Sequence, residues 1–388
     1  MAAIEMRAIK AAVIGTGFIG PAHVEALRRL GFVEVVALCG RNPERTETKA
    51  AALGVPRAYS EYRKLLEDSE VEVVHNASPN YLHFEINKAI LESGKHCVSE
   101  KPLTPTTEES RQLVELARRK PDLVNAVCFN YRFYPLSQQA KAIADAGELG
   151  DVYAIHGTYL QDWLMFPTGY SWRLDPKVAG PTSAFGDLGS HFCDLVTFIT
   201  GRTITEVFAD FQTTHPVRKR PKASVEAFSG AAHKPEDLED VAIEVDDFAN
   251  VLFHLDNGAK GVCSISQVSA GRKNWLSYEI DGSKCSIGAE LERPNELWIG
   301  RRDGANETYI KDPALMKEQA QPYAHYPGGH PEGYPSAFKN LFGNIYRRIA
   351  GESEGGDYPT FEDGHRIVAV VEAAVTSARE GRWVEVPY

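Results

Sequence analysis

The sequence has few cysteines, no long apolar run and too little positive charge to balance its acids. Six cysteines, at 39, 97, 128, 193, 263 and 285, are scattered with no Cys-x-x-Cys pair. That spacing argues against a disulfide framework or a cysteine-based zinc site; most of the six sit in apolar runs and are expected to be buried, reduced thiols. No run approaches the roughly twenty apolar residues of a membrane helix. The start, Met1-Ala2-Ala3-Ile4-Glu5-Met6-Arg7, has no apolar core with a small-residue cleavage site, so a cytoplasmic protein is expected. Lys and Arg total 42 against 53 Asp and Glu, a net charge of −11. Nucleic acid and anionic membranes are therefore not expected partners. Nothing repeats internally, and low complexity is confined to Gly351–Gly356.

What is present, 43% hydrophobic and 24% charged residues, describes a soluble globular chain, and 388 residues are too many for one core. The first part alternates strands and helices. Ala8 to Ile14 is a strand, followed at once by Gly15-Thr16-Gly17-Phe18-Ile19-Gly20 and a helix over Pro21–Leu30. In such a turn Gly15 permits the bend, Gly17 lets backbone approach a pyrophosphate, and Gly20 lets helix and strand pack closely. A second strand, Val33 to Leu38, runs into Cys39-Gly40-Arg41-Asn42, where no carboxylate is available for an adenosine ribose. Arg41 could pair with a 2′-phosphate, favouring NADP over NAD, or stack on adenine, or point to solvent. A helix from Asn42-Pro43 to about Leu53 follows.

Val71 to Ala77 is a β-branched strand leading to Ser78-Pro79-Asn80, with His83 one turn on. A helix over Ile86–Ser93 stops at Gly94. The short strand His96–Ser99 then delivers Glu100-Lys101-Pro102 to its carboxyl end, where open parallel sheets bind ligands. Thr104–Lys120 is a helix with acids first and bases last, and Val124–Phe129 a closing strand. Asn130-Tyr131-Arg132-Phe133-Tyr134-Pro135 is the junction between a domain of residues 1–130 and one of 131–388. The second half turns to alternating runs, Val152–Trp163, Ile204–Thr214, Phe248–Leu255, Gly261–Val268 and Trp275–Ile287, with shorter ones at Glu296–Gly300 and Thr308–Lys311. These imply a large, open, mostly antiparallel sheet, one face covered by helices. Pro216–Glu239, with Arg218-Lys219-Arg220, reads as a solvated excursion. A final helix, 361–379, packs on either domain.

Ser190–Thr200 reads as a helix with Phe192, Leu195, Val196 and Ile199 on one face. A compact turn before it would put Asp187, His191 and Asp194 on the other face. Asp187-Leu188-Gly189-Ser190-His191, the glycine turn, Ser78-Pro79-Asn80-Tyr81-Leu82-His83, and Gly94-Lys95-His96 through Glu100-Lys101-Pro102 together resemble the glucose–fructose oxidoreductase / inositol dehydrogenase / MocA (Gfo/Idh/MocA) family. Gly157–Trp163 and Ser171-Trp172-Arg173 look most like its levoglucosan dehydrogenase branch. The resemblance implies an N-terminal Rossmann domain, a C-terminal α+β domain, a nicotinamide cofactor, and a sugar, glycoside or cyclitol substrate. It places Ser78, Pro79, Asn80 and His83, with Glu100, Lys101, Pro102 and Arg173, near the cofactor, alongside Gly15, Gly17, Phe18, Ile19, Gly20, Gly40, Arg41 and Asn42.

Oxidising a secondary alcohol needs a base for the hydroxyl proton, and His191 suits that role with Asp187 orienting and Lys101 stabilising the alkoxide; the roles of Lys101 and His191 can also be exchanged. Tyr159, Gln161 and Trp163 would share one strand face, offering hydrogen bonds and rings to a sugar, and Tyr131 joins them at the junction. Tyr323–Tyr334, rich in Gly and Pro, reads as an ordered loop or lid presenting His325, Tyr326 and His330. Those histidines lack metal-ligand spacing, so no metal is expected. A homo-oligomer, dimer or tetramer, is expected through the free sheet face. Two other readings are a glycosidase working by transient oxidation and a nucleotide-sensing regulator without turnover; the trio Lys101, Asp187 and His191 argues against the regulator.

Overall fold

The computed structural model describes residues 7–222, 234–352 and 357–388; Met1–Met6 and parts of the Pro216–Glu239 and Gly351–Gly356 stretches lie outside the described residues. The chain divides into two compact units, Met1–Cys128 with Phe338–Arg366, and Phe129–Ala337 with Ile367–Tyr388. A single cut after residue 130 therefore does not describe the division, because a segment from the far end of the sequence returns to the first unit.

The first unit is a six-stranded parallel sheet of β1 (Ile9–Ile14), β2 (Val33–Cys39), β3 (Arg57–Tyr59), β4 (Val73–Asn76), β5 (His96–Ser99) and β6 (Asn125–Val127), in the order β3-β2-β1-β4-β5-β6. Helices α1 (Ile19–Arg28), α2 (Pro43–Ala52), α3 (Tyr62–Leu66), α4 (His83–Glu92) and α5 (Thr107–Arg118) connect the strands. Central strands buried on both faces take mostly apolar residues, and Ala11, Ala12, Val13, Val73, Val74 and Val98 are fully buried, with the polar His75, Asn76 and Ser99 near their carboxyl ends. Strand order reverses between β1 and β4, so the loops leaving these two strands line the crevice where such sheets take ligands. α2 starts where the Asn42 side chain accepts the Arg45 amide at 2.9 Å, with Pro43 next. α1 begins two residues before Pro21, and α4 begins at His83 because the 3-10 turn Asn80–Leu82 runs straight into it.

In the second unit come α6 (Pro135–Asp145), β7 (Val152–Leu160), α7 (Pro176–Ala179), α8 (Ser190–Thr200), β8 (Ile204–Gln212), β9 (Val217–Pro221), β10 (Leu238–Ala242) and β11 (Phe248–Leu255). β12 (Lys260–Ser266), β13 (Trp275–Gly282), β14 (Ser286–Glu290), β15 (Glu296–Gly300) and β16 (Glu307–Ile310) follow. After two long helices, α9 (Tyr334–Ile349) and α10 (Phe361–Glu380), comes β17 (Val384–Glu385). Nine of these strands form one sheet, β16-β15-β14-β13-β7-β12-β11-β8-β17, antiparallel except for the β7–β12 pair. α8 lies on β7, and Gly157 makes that approach possible: a Cβ there would come within 2.2 Å of the Phe192 ring. Gly201, at φ 65°, ends α8.

Three departures from the sequence pattern have physical causes. Arg218 is not solvated but completely buried, paired with Asp247 at 2.8 Å and donating to the carbonyls of Leu164 and Phe166; only Lys219 and Arg220 face outward, on Asp240 and Glu239. α6 buries Ser137, Gln138 and Gln139 beside Leu136, Ala140 and Ile143, so polar residues are enclosed where its pattern reads as a solvated face. α9 starts inside the Gly- and Pro-rich stretch that reads as loop, and its Phe338, Phe342 and Tyr346 belong to the core of the first unit. α10 begins in the first unit, where the Phe361 amide meets Asn125 at 2.9 Å. It ends in the second, where Ser377 accepts the Ala209 amide at 3.0 Å. Among the described residues no helix is long and apolar enough to cross a membrane, and all six cysteines are free and buried.

Candidate active site

At the carboxyl edge of the first unit, backbone hydrogen bonds and closely packed glycines fix the loops. The strand ladder continues into the loops: Gly15 N–H bonds Cys39 O at 2.8 Å, Ala77 N–H bonds Ile14 O at 2.7 Å and Glu100 N–H bonds Asn76 O at 2.8 Å. Gly15 has φ 119°, and a Cβ on it would lie 2.2 Å from the Ala77 carbonyl oxygen. A Cβ on Gly20 would lie 2.0 Å from the Gly15 oxygen, while Gly17 has nothing within 4 Å of that position. So two glycines pack the turn and the third leaves open backbone at the start of α1, a cradle that fits a dinucleotide. Phe18 is 62% exposed beside it, and Ile19 opens the helix. Gly40 packs against Thr16 and Thr46, Arg41 is exposed, and Asn42 is occupied in capping α2.

A run of buried amides and hydroxyls fixes the next two loops. Ser78 donates to Asn76 (2.7 Å), Asn76 to Asn87 (2.8 Å), Asn87 to Ser99 (2.8 Å), and Ser99 to the Glu100 carbonyl (2.9 Å). Pro79 is extended and Asn80 begins the 3-10 turn. His83, expected at the cofactor, is instead fully buried, with Nδ1 2.6 Å from Pro102 O and Nε2 2.9 Å from Ser78 O. Both nitrogens face backbone carbonyls, so it sits between the two loops and, when neutral, donates to one of them; burial pulls its pKa down. Glu100 is also turned inward. Burial alone would raise its carboxyl, but the His23 hydrogen bond at 2.9 Å and then the Lys101 charge hold it below the usual range. Lys101 precedes Pro102 across a cis peptide bond and donates its amide to Glu100 at 3.1 Å. His23, Glu100 and Cys128 are the one metal-like cluster among the described residues, yet they hydrogen-bond one another, and burial pushes the Cys128 thiol far up.

In the second unit a π-helical turn, Phe185–Gly189, leads into α8 and carries Asp187. Its start is fixed by buried Asp246, which accepts the Thr182 hydroxyl (2.6 Å) and the Ser183 and Phe185 amides (2.8 Å each). His191, 7% exposed, lies against the Tyr131 ring at 4.4 Å between centroids. Asp194 does not share this surface: it is buried and bidentate to Arg132, at 2.5 to 3.1 Å. Arg173 Nε stands 3.4 Å from Asp187, so the pair couples the Ser171–Arg173 turn to the π-turn.

Beside His191 a ring of hydrogen bonds closes on Asn274. Tyr131 and Tyr159 hydroxyls are 2.5 Å apart, Tyr159 donates to Asn274 Oδ1 at 2.6 Å, and Asn274 Nδ2 donates to Tyr131 at 3.1 Å. Gln161 Nε2 donates to the same Oδ1 at 2.9 Å, and Trp163 Nε1 donates to Gln161 Oε1 at 2.8 Å. β7 ends at Leu160, so these bonds, not strand alternation, gather Gln161 and Trp163 with Tyr159. Burial, with the Asp187 charge assisting, raises the pKa of both tyrosines, so they remain hydrogen-bond donors. Asn274 carried no signal in the sequence; it precedes β13 as one polar residue among several. The 323–334 loop is held from inside: buried Lys311 donates to the carbonyls of Tyr326 and His330 and pairs with Glu332 at 2.9 Å, leaving the Tyr326 ring half exposed.

Two family models match this chain: the oxidoreductase family, NAD-binding Rossmann fold, over residues 9–127, and the GFO/IDH/MocA C-terminal domain over residues 137–288. Levoglucosan dehydrogenase of Pseudarthrobacter phenanthrenivorans is 32% identical over 393 residues, covering 98% of this chain and 99% of the relative. The chain belongs to the Gfo/Idh/MocA oxidoreductase family. A solved structure of levoglucosan dehydrogenase with NADH and levoglucosan superposes at a TM-score of 0.88 with 29% identity, over 98% of this chain and all (100%) of that one. An inositol dehydrogenase homologue of Azotobacter vinelandii, complexed with NAD+, gives 0.86 and 29%, over 98% and 97%. This family member is thus an oxidoreductase whose glycine cradle suits a nicotinamide dinucleotide.

Proposed function

We propose that this enzyme oxidises a ring secondary hydroxyl of a sugar, glycoside or cyclitol. The observation that carries this reading is the surface of the second unit, where His191 and Asp187 border a hydrogen-bonded group of two amide and three aromatic side chains. Sugar hydroxyls need paired donors and acceptors, and sugar ring faces stack on aromatic planes. The levoglucosan and inositol chemistry of the relatives agrees with it. A bound nicotinamide supplies the hydride acceptor. His191 takes the hydroxyl proton, Asp187 orients the acceptor, and Lys101 holds the oxygen as charge grows on it. A screen of sugars and cyclitols with both oxidised cofactors, read at the reduced-nicotinamide absorbance, tests the reading; no turnover of any of them would reject it. Lys101→Met and His191→Ala should each lower turnover by orders of magnitude with cofactor still bound, and the double change should cost less than their product. Near-normal turnover in either single variant would remove that residue from the mechanism.

Two finer proposals accompany it. NADP is preferred over NAD, since Cys39-Gly40-Arg41-Asn42 offers no carboxylate and Arg41 is exposed; Arg41→Ala should weaken NADP more than NAD, and equal effects would refute the preference. The protein is also a homo-oligomer, because Phe208, Leu252 and Val262 are register neighbours forming an apolar row across the outer sheet face, Leu252 being 45% exposed. A sedimenting species of only 42.8 kDa at micromolar concentration would refute that.

A further inference from the structure

A second set of titratable groups lies beneath Lys101, in the first unit, and takes no part in the chemistry above. His23 of α1 and His75 of β4 are both completely buried, with their Nδ1 atoms 3.1 Å apart. His23 Nε2 faces Glu100 at 2.9 Å, and His75 Nε2 faces the Tyr346 hydroxyl at 2.9 Å. Phe338 and Phe342 of α9 close over the pair, with ring centroids 4.8 to 5.4 Å from the imidazoles. Two facing Nδ1 atoms can hold only one proton between them. With Glu100 ionised, one arrangement satisfies every atom: Tyr346 O–H donates to His75 Nε2, His75 Nδ1–H to His23 Nδ1, and His23 Nε2–H to the carboxylate. The other Glu100 oxygen accepts the Lys101 amide at 3.1 Å. Burial holds His75 far below the ordinary imidazole pKa, in keeping with its neutral place in this chain.

We propose that Tyr346, His75 and His23 are positioning residues that act through Glu100 to fix the Lys101 peptide, so that the returning helix α9 forms part of the support for the catalytic lysine. The inference rests on the role given to Lys101 above. The chain ends in the core at Tyr346, itself fully buried, so it holds geometry and does not conduct protons to solvent. It completes a grip from two sides: the Lys101 amide through Glu100 and His23, and the Pro102 carbonyl through His83. Groups facing Glu100 are His23 from α1, Lys101 beside it, Cys128 after β6, and His83 from α4 at longer range.

The test compares His23→Leu, which keeps bulk but removes both hydrogen bonds, with His23→Gln, whose amide can donate to Glu100 and accept from His75. Turnover of the full-length enzyme in His23→Leu should fall by about tenfold or more at unchanged cofactor affinity, and His23→Gln should recover it to within about threefold. A further readout is pH. Losing its donor leaves Glu100 with burial dominant and its carboxyl rises, so the turnover of the Leu variant, taken relative to wild type and to the Gln variant at the same pH, should fall further from about pH 8 to about pH 6. Should His23→Leu fail to fold, Tyr346→Phe gives the smaller version, a loss of about two- to threefold in turnover with cofactor affinity kept. Wild-type turnover and pH profile in His23→Leu, or equal losses in the Leu and Gln variants that follow thermal stability alone, would overturn the inference. Lys101→Met separates the two levels: if it stays active the mechanism fails, and if it is inactive while the chain variants behave as wild type, only this inference fails.

Discussion

The two units use polar side chains in opposite ways. At the carboxyl edge of the first, Asn76, Asn87, Ser99, Glu100, His83 and His23 are buried and consumed by one another or by backbone, which leaves glycine backbone to meet a cofactor. In the second, Tyr131, Tyr159, Gln161, Trp163 and Asn274 bond to one another around one amide, side chain to side chain. A site made of backbone tolerates little change, because each glycine is packed; a site made of side chains can be retuned one residue at a time.

Variants can break or sharpen this contrast. The largest effect is expected from Asp194→Ala, which leaves buried Arg132 without its bidentate partner beneath the His191 helix; such a loss costs about 3–5 kcal/mol, and a chemical denaturation curve measures it. Gly15→Ala forces a side chain into a positive-φ position and against the Ala77 carbonyl, at a cost of about 2–3 kcal/mol, and should abolish cofactor binding by calorimetry. Asn274→Leu should raise KM for the sugar about tenfold, roughly 1.4 kcal/mol, with cofactor affinity unchanged. If cofactor binding fell as well, the two units would not divide the work as described. The smallest effect is Asn42→Ala, which removes the α2 cap for about 1 kcal/mol and should lower the melting temperature by a few degrees.

How much of this was legible depended on whether a residue acts locally. The glycine turn is legible because its three glycines fall within six residues, although the contact that closes Gly15 is with Ala77, just after β4, and Asp187 and His191 because one helical turn relates them. The end of α8 was readable from Gly201 and its apolar face from Phe192, Leu195, Val196 and Ile199. In α6 the apolar set Leu136, Ala140 and Ile143 keeps helical spacing, but the burial of Ser137, Gln138 and Gln139 beside it does not follow from their polarity. Arg218 looked solvated beside two other bases, and only Asp247 and the carbonyls of a distant loop make its burial possible. Asn274 is 113 positions from Gln161 and 143 from Tyr131, and His75 is 271 from Tyr346; no local rule joins such pairs. Asp194 was expected on the face of Asp187 and His191 but is turned to Arg132, 62 positions away, which no local spacing shows.

The return of α9 has a consequence for how the protein is made. The ribosome releases residues 1–128 first, but His23 and His75 remain uncovered until Phe338, Phe342 and Tyr346 have been synthesised. The second unit's large sheet is, apart from β17, already out by then. The unit that begins first therefore finishes late, and a nascent chain stalled anywhere before α9 exposes an unfinished apolar flank suited to chaperone capture.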